Sequence, residues 1–91
     1  MESVIINAKI SEKKKSEFFH TTESLKPFLE KFCDKIEIKI DHKNKLEILI
    51  EFESKHQLEN YYSRDEFNIL KGSVKSLCDD VEIKIDDILV S

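Results

Sequence analysis

The groups that could do chemistry in this chain are a few polar side chains set among aromatic ones. Tyr61, Thr22 and Lys71 bring a phenol, a hydroxyl and an ammonium to a set of rings that includes Phe18, Phe52 and Phe67. A site of that make-up is an apolar chamber with a few hydrogen-bonding groups, suited to holding and orienting a small molecule. None of the three polar groups completes a nucleophile–base pair or a carboxylate dyad, so hydrolysis has no support. His20, His42 and His56 fall in three separate elements without ligand spacing, and no Cys-x-x-Cys occurs, so no metal site is expected. The single glycine, Gly72, cannot build a phosphate-binding loop or a dinucleotide fingerprint.

The elements that must position these groups centre on the stretch from Leu46 to Leu77. Leu46, Ile48, Ile50 and Phe52 alternate with Glu47, Leu49, Glu51 and Glu53, the period of a half-buried strand. The period then becomes helical: Leu58, Tyr61 and Tyr62 form one short apolar face, and Phe67, Leu70, Val74 and Leu77 form a second. Ser54-x-x-Gln57 and Ser63-x-x-Glu66 each read as a capping box, which predicts a helix broken at Tyr62-Ser63. That break is where the layer beneath could open into a pocket. The pocket would lie between the sheet and the two helices, with Phe18, Thr22, Leu25, Phe52, Leu58, Tyr61, Phe67 and Leu70 among its walls.

The remaining elements follow from the same periodicities. Val4, Ile6, Ala8 and Ile10 predict a first strand, with Ile5, Asn7 and Lys9 on its other face. Phe18, Thr22, Leu25, Leu29 and Phe32 predict one apolar helical stripe, and Pro27 falls on the outer side, where it bends the helix without entering the core. Ile36, Ile38 and Ile40 predict a second strand, joined to the central one by the polar turn Asp41 to Lys45. Val81, Ile83 and Ile85 predict a last strand that could continue to Val90.

An internal echo supports this order. Cys33-Asp34-Lys35-Ile36-Glu37-Ile38-Lys39-Ile40-Asp41 returns as Cys78-Asp79-Asp80-Val81-Glu82-Ile83-Lys84-Ile85-Asp86, identical at all but two of the nine positions, Lys35/Asp80 and Ile36/Val81. Convergence on an amphipathic strand accounts for the alternation, but not for the Cys-Asp ahead of each copy. Two strand-helix-strand halves with right-handed crossovers give an α+β, ferredoxin-like βαββαβ fold with a four-stranded antiparallel sheet in the order 4-1-3-2. Strands 2 and 4 would then be its edges, about 14 Å apart at roughly 4.8 Å per step, beyond the roughly 7 Å limit for a disulfide. Cys33 and Cys78 are therefore expected as small core residues.

Composition narrows the partners. Ninety-one residues with 40% hydrophobic and 37% charged side chains predict one domain over 1–91. The net charge of −4, with Lys13-Lys14-Lys15 as the only basic cluster, argues against nucleic acid and anionic membranes. An RNA-binding sheet would need aromatics where this chain offers Asn7, Lys9, Glu47, Leu49 and Glu51. No apolar run reaches the roughly 18–20 residues of a membrane span, and no signal-peptide pattern occurs, so a cytoplasmic protein with reduced cysteines is expected.

Phe52-x-Ser54, Leu58, Tyr61, Phe67, Leu70-x-Gly72 and a closing Glu82-Ile83-Lys84-Ile85 strand resemble the antibiotic biosynthesis monooxygenase family; Glu17-Phe18 and Ser24-Leu25 also fit it. The resemblance covers nearly the whole chain. It implies a dimeric α+β barrel, a homodimer in which two ferredoxin-like sheets pack face to face. Ile5 and Leu49 would then meet a partner, with Glu37, Lys39, Glu82 and Lys84 as ion-pairing groups; a solvated charged face is the alternative. It further implies a cofactor-independent monooxygenase that oxidises a small quinol- or anthrone-like aromatic, the protein supplying a dry cavity and hydrogen bonds to the developing oxyanion. Tyr61 would be the catalytic or substrate-orienting group, and Phe18, Thr22, Phe52, Phe67 and Lys71 would line the pocket. Other members bind heme through an Asn, a Trp and a His ligand. Here Phe52 stands where many members have Trp, Tyr61 where they have His or Trp, Arg64 where a Ser is expected, and Lys71 near the place of the heme-ligating His. Asn7 matches the heme-pocket Asn in type, but strand parity puts it on the opposite face. The alternative function is a non-catalytic dimeric module of the same fold that binds a small ligand.

Overall fold

The computed structural model describes residues 2–86 and 88–90; positions 1, 87 and 91 of the expected 1–91 domain lie outside the described residues. The elements are β1 (Glu2–Ile10), α1 (Glu12–Leu29), β2 (Lys35–Ile40), β3 (Lys45–Phe52), α2 (Lys55–Tyr61), α3 (Asp65–Leu77), β4 (Cys78–Ile85) and β5 (Ile88–Leu89). The first seven follow the expected βαββαβ order, with the second helix in two pieces. They form one antiparallel sheet in the order β2-β3-β1-β4-β5.

The sheet has five strands where the sequence predicted four. Asp86 adopts a left-handed backbone (φ 50°), and the chain reverses there instead of running straight to Val90. Ile88 then pairs with Ile85, and Leu89 with Lys84, so β5 is the edge and β4 is not. An aspartate tolerates this conformation better than a branched residue would, and its position is fixed locally. The Ser3 amide donates to its carboxylate at 2.9 Å, and its own amide donates to the Ser3 carbonyl at 2.9 Å. The continuation of β4 through position 87 lies outside the described residues.

Register gathers the apolar residues on one face. Val4 sits between Ile50 and Ile85, and Ile6 between Ile48 and Ile83. These six, apart from the half-buried Ile85, are buried together with Phe18, Leu29, Phe67, Leu70 and Val74 from the helices. Each fully buried aliphatic or aromatic side chain contributes roughly 1.5–3 kcal/mol relative to exposure, so this layer is the main source of stability. Of the stripe expected on α1, Phe18, Thr22 and Leu29 are buried, Leu25 is half-buried, and Phe32 lies beyond the helix end. Pro27 is exposed, and α1 ends two residues after it.

A bulge reconciles two parts of the sequence pattern. Asn7 pairs with Glu82 but Lys9 pairs with Asp79, so Asp80 and Val81 both oppose Ala8, and Asp80 has φ 52°. The extra residue shifts the strand parity, so Cys78 and Ile83 both reach the core although they are five apart. Asp80 is also the first of the two positions at which the internal echo breaks. In the first copy Cys33 precedes β2, half-buried, and its thiol donates to the Leu29 carbonyl at 3.3 Å.

The two capping boxes differ. Ser54 caps α2: its hydroxyl accepts from the Gln57 amide at 3.2 Å, and Gln57 accepts in return from the Glu53 amide at 3.2 Å. The expected box at Ser63 and Glu66 does not form. The chain stays non-helical one residue longer, because the Arg64 amide already donates to the Tyr61 carbonyl at 3.0 Å. Arg64 is therefore the N-cap of α3, without a side-chain cap, and Glu66 pairs with its guanidinium at 3.3 Å.

Candidate active site at the helix break

The break between α2 and α3 leaves carbonyls at the end of α2 that need donors. The Tyr61 carbonyl accepts from the Arg64 amide, the Ser63 carbonyl from the Asn68 side chain at 3.1 Å, and the Tyr62 carbonyl from Lys71 Nζ at 3.4 Å. Two donors from α3 thus close the end of α2. Lys71 is one turn beyond Phe67, which places both on the same side of α3. The ammonium lies over the Tyr62 ring, 4.1 Å from its centroid, a favourable meeting of cation and π-face.

Tyr62 is the centre of an aromatic cluster. Its ring meets Phe52 edge-on at 6.3 Å and Phe67 at 6.1 Å, while Phe52 and Phe67 are 5.6 Å apart. The Tyr62 hydroxyl oxygen is buried and has no hydrogen-bond partner among the described residues. Burial pushes its pKa from 10.0 to about 12, so at neutral pH it is a proton donor in a hydrogen bond and not a base. Burial, reinforced by the neighbouring Lys75 charge, lowers the Lys71 pKa. No carboxylate of the described residues forms an ion pair with Lys71. The phenol without a partner and the ammonium without a carboxylate partner, both among the described residues, thus sit beside rings that meet edge-on or tilted.

The structure brings together Phe52, Phe67 and Lys71 from the expected pocket, but it does so around Tyr62. Tyr61 is half-buried and turns to Phe32, 5.4 Å away, whose ring lies 3.9 Å from the Arg64 guanidinium carbon. Phe18, Phe52 and Phe67 are all 0% exposed. The Thr22 hydroxyl donates to the Phe18 carbonyl at 2.9 Å and approaches the Phe19 carbonyl at 3.2 Å, so it is satisfied inside its own helix. Adjacent tyrosines on so short a helix cannot be separated by periodicity. The signal that marks Tyr62 is its position at the break, within reach of a lysine on the next helix.

Open concavities lie elsewhere. Two grooves, of about 160 and 280 Å³, flank Asn7, Lys45 and Leu46 at one end of the sheet. A third, of about 350 Å³, lies between α1 and α3 and is lined by His20, Leu25, Phe28 and Ile69. Asn7 sits between Glu47 and Glu82 on the sheet face away from the helices, as strand parity predicts. No helix of the described residues is long and apolar enough to cross a membrane.

No protein-family model and no curated protein sequence matches the chain. Solved structures do. A conserved protein from Methanosarcina mazei Go1 superposes with a TM-score of 0.79 at 20% identity, covering 92% of this chain and 88% of that one. A Nitrosomonas europaea protein provisionally described as an antibiotic biosynthesis monooxygenase gives 0.77 at 10% identity, over 93% and 95% of the two chains. A structure described as an antibiotic biosynthesis monooxygenase gives 0.73 at 17% identity, again over 93% and 95%. The chain thus has the ferredoxin-like α+β fold found in antibiotic biosynthesis monooxygenases.

Proposed function

We propose that the protein is a cofactor-independent monooxygenase for a small quinol- or anthrone-like aromatic, and that it works as a homodimer joined through the open sheet face. The observation that carries this reading is the partnerless, buried Tyr62 hydroxyl beside the carboxylate-free Lys71 ammonium in a cluster of rings. With an anthrone-like substrate, a ring CH₂ and O₂ give a ring C=O and water. The substrate provides all four electrons, one oxygen atom enters the carbonyl, and the other leaves as water. Lys71 would pair with the ionised substrate oxygen and hold the electron-rich anion that reacts with oxygen. Tyr62, a neutral donor at working pH, would hydrogen-bond the developing oxyanion. Phe52 and Phe67 would contact the ring and exclude water. Tyr61 remains a candidate only at the rim, through Phe32.

Oxygen uptake by metal-free protein against a panel of quinols and anthrones tests the reading. Turnover that falls at least about tenfold in Lys71→Met supports it; a panel without enzyme-dependent uptake rejects it. The second reading, a non-catalytic module that binds a small ligand, is favoured by one observation: a groove of about 350 Å³, lined by His20, Leu25, Phe28 and Ile69, lies open away from the Tyr62 cluster. Thermal-shift responses to aromatic ligands without oxygen uptake would select it.

A further inference from the structure

We infer that α2, together with Tyr62, is a hinged lid over the aromatic cluster and that Lys71 is its latch. Resting on the site proposed above, this assigns the way into it and the group that keeps it shut. The site is closed as it stands. Phe52 and Phe67 are fully buried, and so is the Tyr62 hydroxyl oxygen. A ligand ring reaches them only if one of the walls moves.

Three walls are fixed. β3 is paired on both sides, to β1 and to β2. α1 is anchored by Phe18, Thr22 and Leu29, and α3 by Phe67, Leu70 and Val74, all of them buried. α2 is the fourth wall, and of its seven residues it buries Leu58 alone. No residue from Lys55 to Ser63 forms an ion pair among the described residues. The side-chain hydrogen bonds of Gln57 and Asn60 stay local, to Glu53 and to His56. An isolated helix needs roughly 12–15 residues to hold in water, so α2 keeps its shape only while docked. Segments with few buried apolar contacts are those that open locally.

Both ends of α2 are ready hinges. Ser54, where β3 passes into α2, is already extended at φ −145° and ψ 163°. Arg64, where the helix is broken, has φ −65° and ψ 157°. Asn68 holds the Ser63 carbonyl at 3.1 Å and so fixes the far hinge to α3. Opening between these points interrupts neither β3 nor α3. The lid would part from the body along the contact of Tyr61 with Phe32, whose ring centroids are 5.4 Å apart.

Two opposed contacts set the balance. The Lys71 ammonium donates to the Tyr62 carbonyl at 3.4 Å and lies 4.1 Å from the centroid of its ring, which holds the lid down. Against it stands the Tyr62 hydroxyl, buried with no hydrogen-bond partner among the described residues. That group regains water when the lid opens. An ionised ligand oxygen is a stronger acceptor for the ammonium than a peptide carbonyl. The ligand that the proposed site would hold therefore also undoes the latch.

Amide hydrogen exchange of the ligand-free chain at neutral pH tests the lid. The amides of Leu58, Tyr62 and Arg64 donate to the carbonyls of Ser54, Leu58 and Tyr61. In the parent they should exchange at least about tenfold faster than those of Leu70 and Val74 in α3. Two substitutions should then move them in opposite directions. Lys71→Met removes the latch, keeps a side chain on the ring, and should speed them about fivefold. Tyr62→Phe removes the group that gains by opening and should slow them at least about fivefold. Lid amides as slow as those of Leu70 and Val74 overturn the lid, because α2 would open only with the whole fold. Fast amides that neither substitution moves, or that both move the same way, overturn the latch. A hydroxyanthraquinone added at saturation separates this from the site itself. If it changes no amide while both substitutions act as stated, the lid stands and the proposed site fails.

Discussion

Replacing Tyr62 with phenylalanine removes one oxygen from a place where it has no hydrogen-bond partner among the described residues. The ring contacts to Phe52, Phe67 and the Lys71 ammonium stay. A buried, unsatisfied polar group costs about 1–3 kcal/mol, so Tyr62→Phe should stabilise the protein by about 1–2 kcal/mol. For a domain of this size that raises the melting temperature by roughly 4–8 °C per kcal/mol. The assay is thermal unfolding followed by circular dichroism at neutral pH, with Tyr61→Phe as the control, expected within about 0.5 kcal/mol of the parent. The pH dependence adds a signature. Burial raises the Tyr62 pKa from 10.0 to about 12, so the unfolded chain ionises first. The stability tied to the neutral phenol is fully present below pH 10.0 and is lost as the pH rises towards about 12. Tyr62→Phe lacks that loss, so its advantage should grow across this interval. A variant that melts below the parent at neutral pH would refute the reasoning, because the hydroxyl would then be making a stabilising bond. Under the proposed function the same variant trades activity for stability, as sites that hold polar groups ready for a ligand do.

The other predictions concern backbone and interface. Gly72 lies inside α3 without a positive φ, and a Cβ there would meet nothing within 4 Å. Gly72→Ala should therefore add about 0.5–1 kcal/mol, read in the same melts. Asp80→Val places a branched side chain at φ 52° in the β4 bulge and should cost roughly 1–2 kcal/mol; Asp80→Gly should not. Leu49→Arg puts a charge at the centre of the proposed interface and should convert the dimer to monomer in light scattering, with the melting of the isolated fold little changed because Leu49 is only half-buried.

Much of the fold is legible in the sequence because its signals are periodic. The alternation of Leu46 to Phe52 and the 3.6-residue spacing of Phe67, Leu70 and Val74 each point to one face, and those faces meet in the core. What periodicity cannot show are single-residue backbone decisions. The bulge at Asp80 and the reversal at Asp86 depend on left-handed residues, and only the Lys35/Asp80 mismatch in the echo hints at the first. The N-cap of α3 lies one residue beyond Ser63 because the Tyr61 carbonyl captures the Arg64 amide, a contact that no capping pattern encodes. The candidate site was legible in composition, since Phe52, Phe67 and Lys71 do converge. Its centre was not, because Tyr61 and Tyr62 are neighbours at the end of one short helix and periodicity alone does not separate them.

The most direct test of the proposed site is a crystal structure with a hydroxyanthraquinone, which resembles an anthrone product and cannot be oxidised further in the same way. The ring should stack at Tyr62, Phe52 and Phe67, with an oxygen on Lys71 Nζ and the Tyr62 hydroxyl donating to the ligand. A ligand seated instead in the groove lined by His20, Leu25, Phe28 and Ile69, or a Tyr62 cluster that stays closed at saturating ligand, would contradict the account.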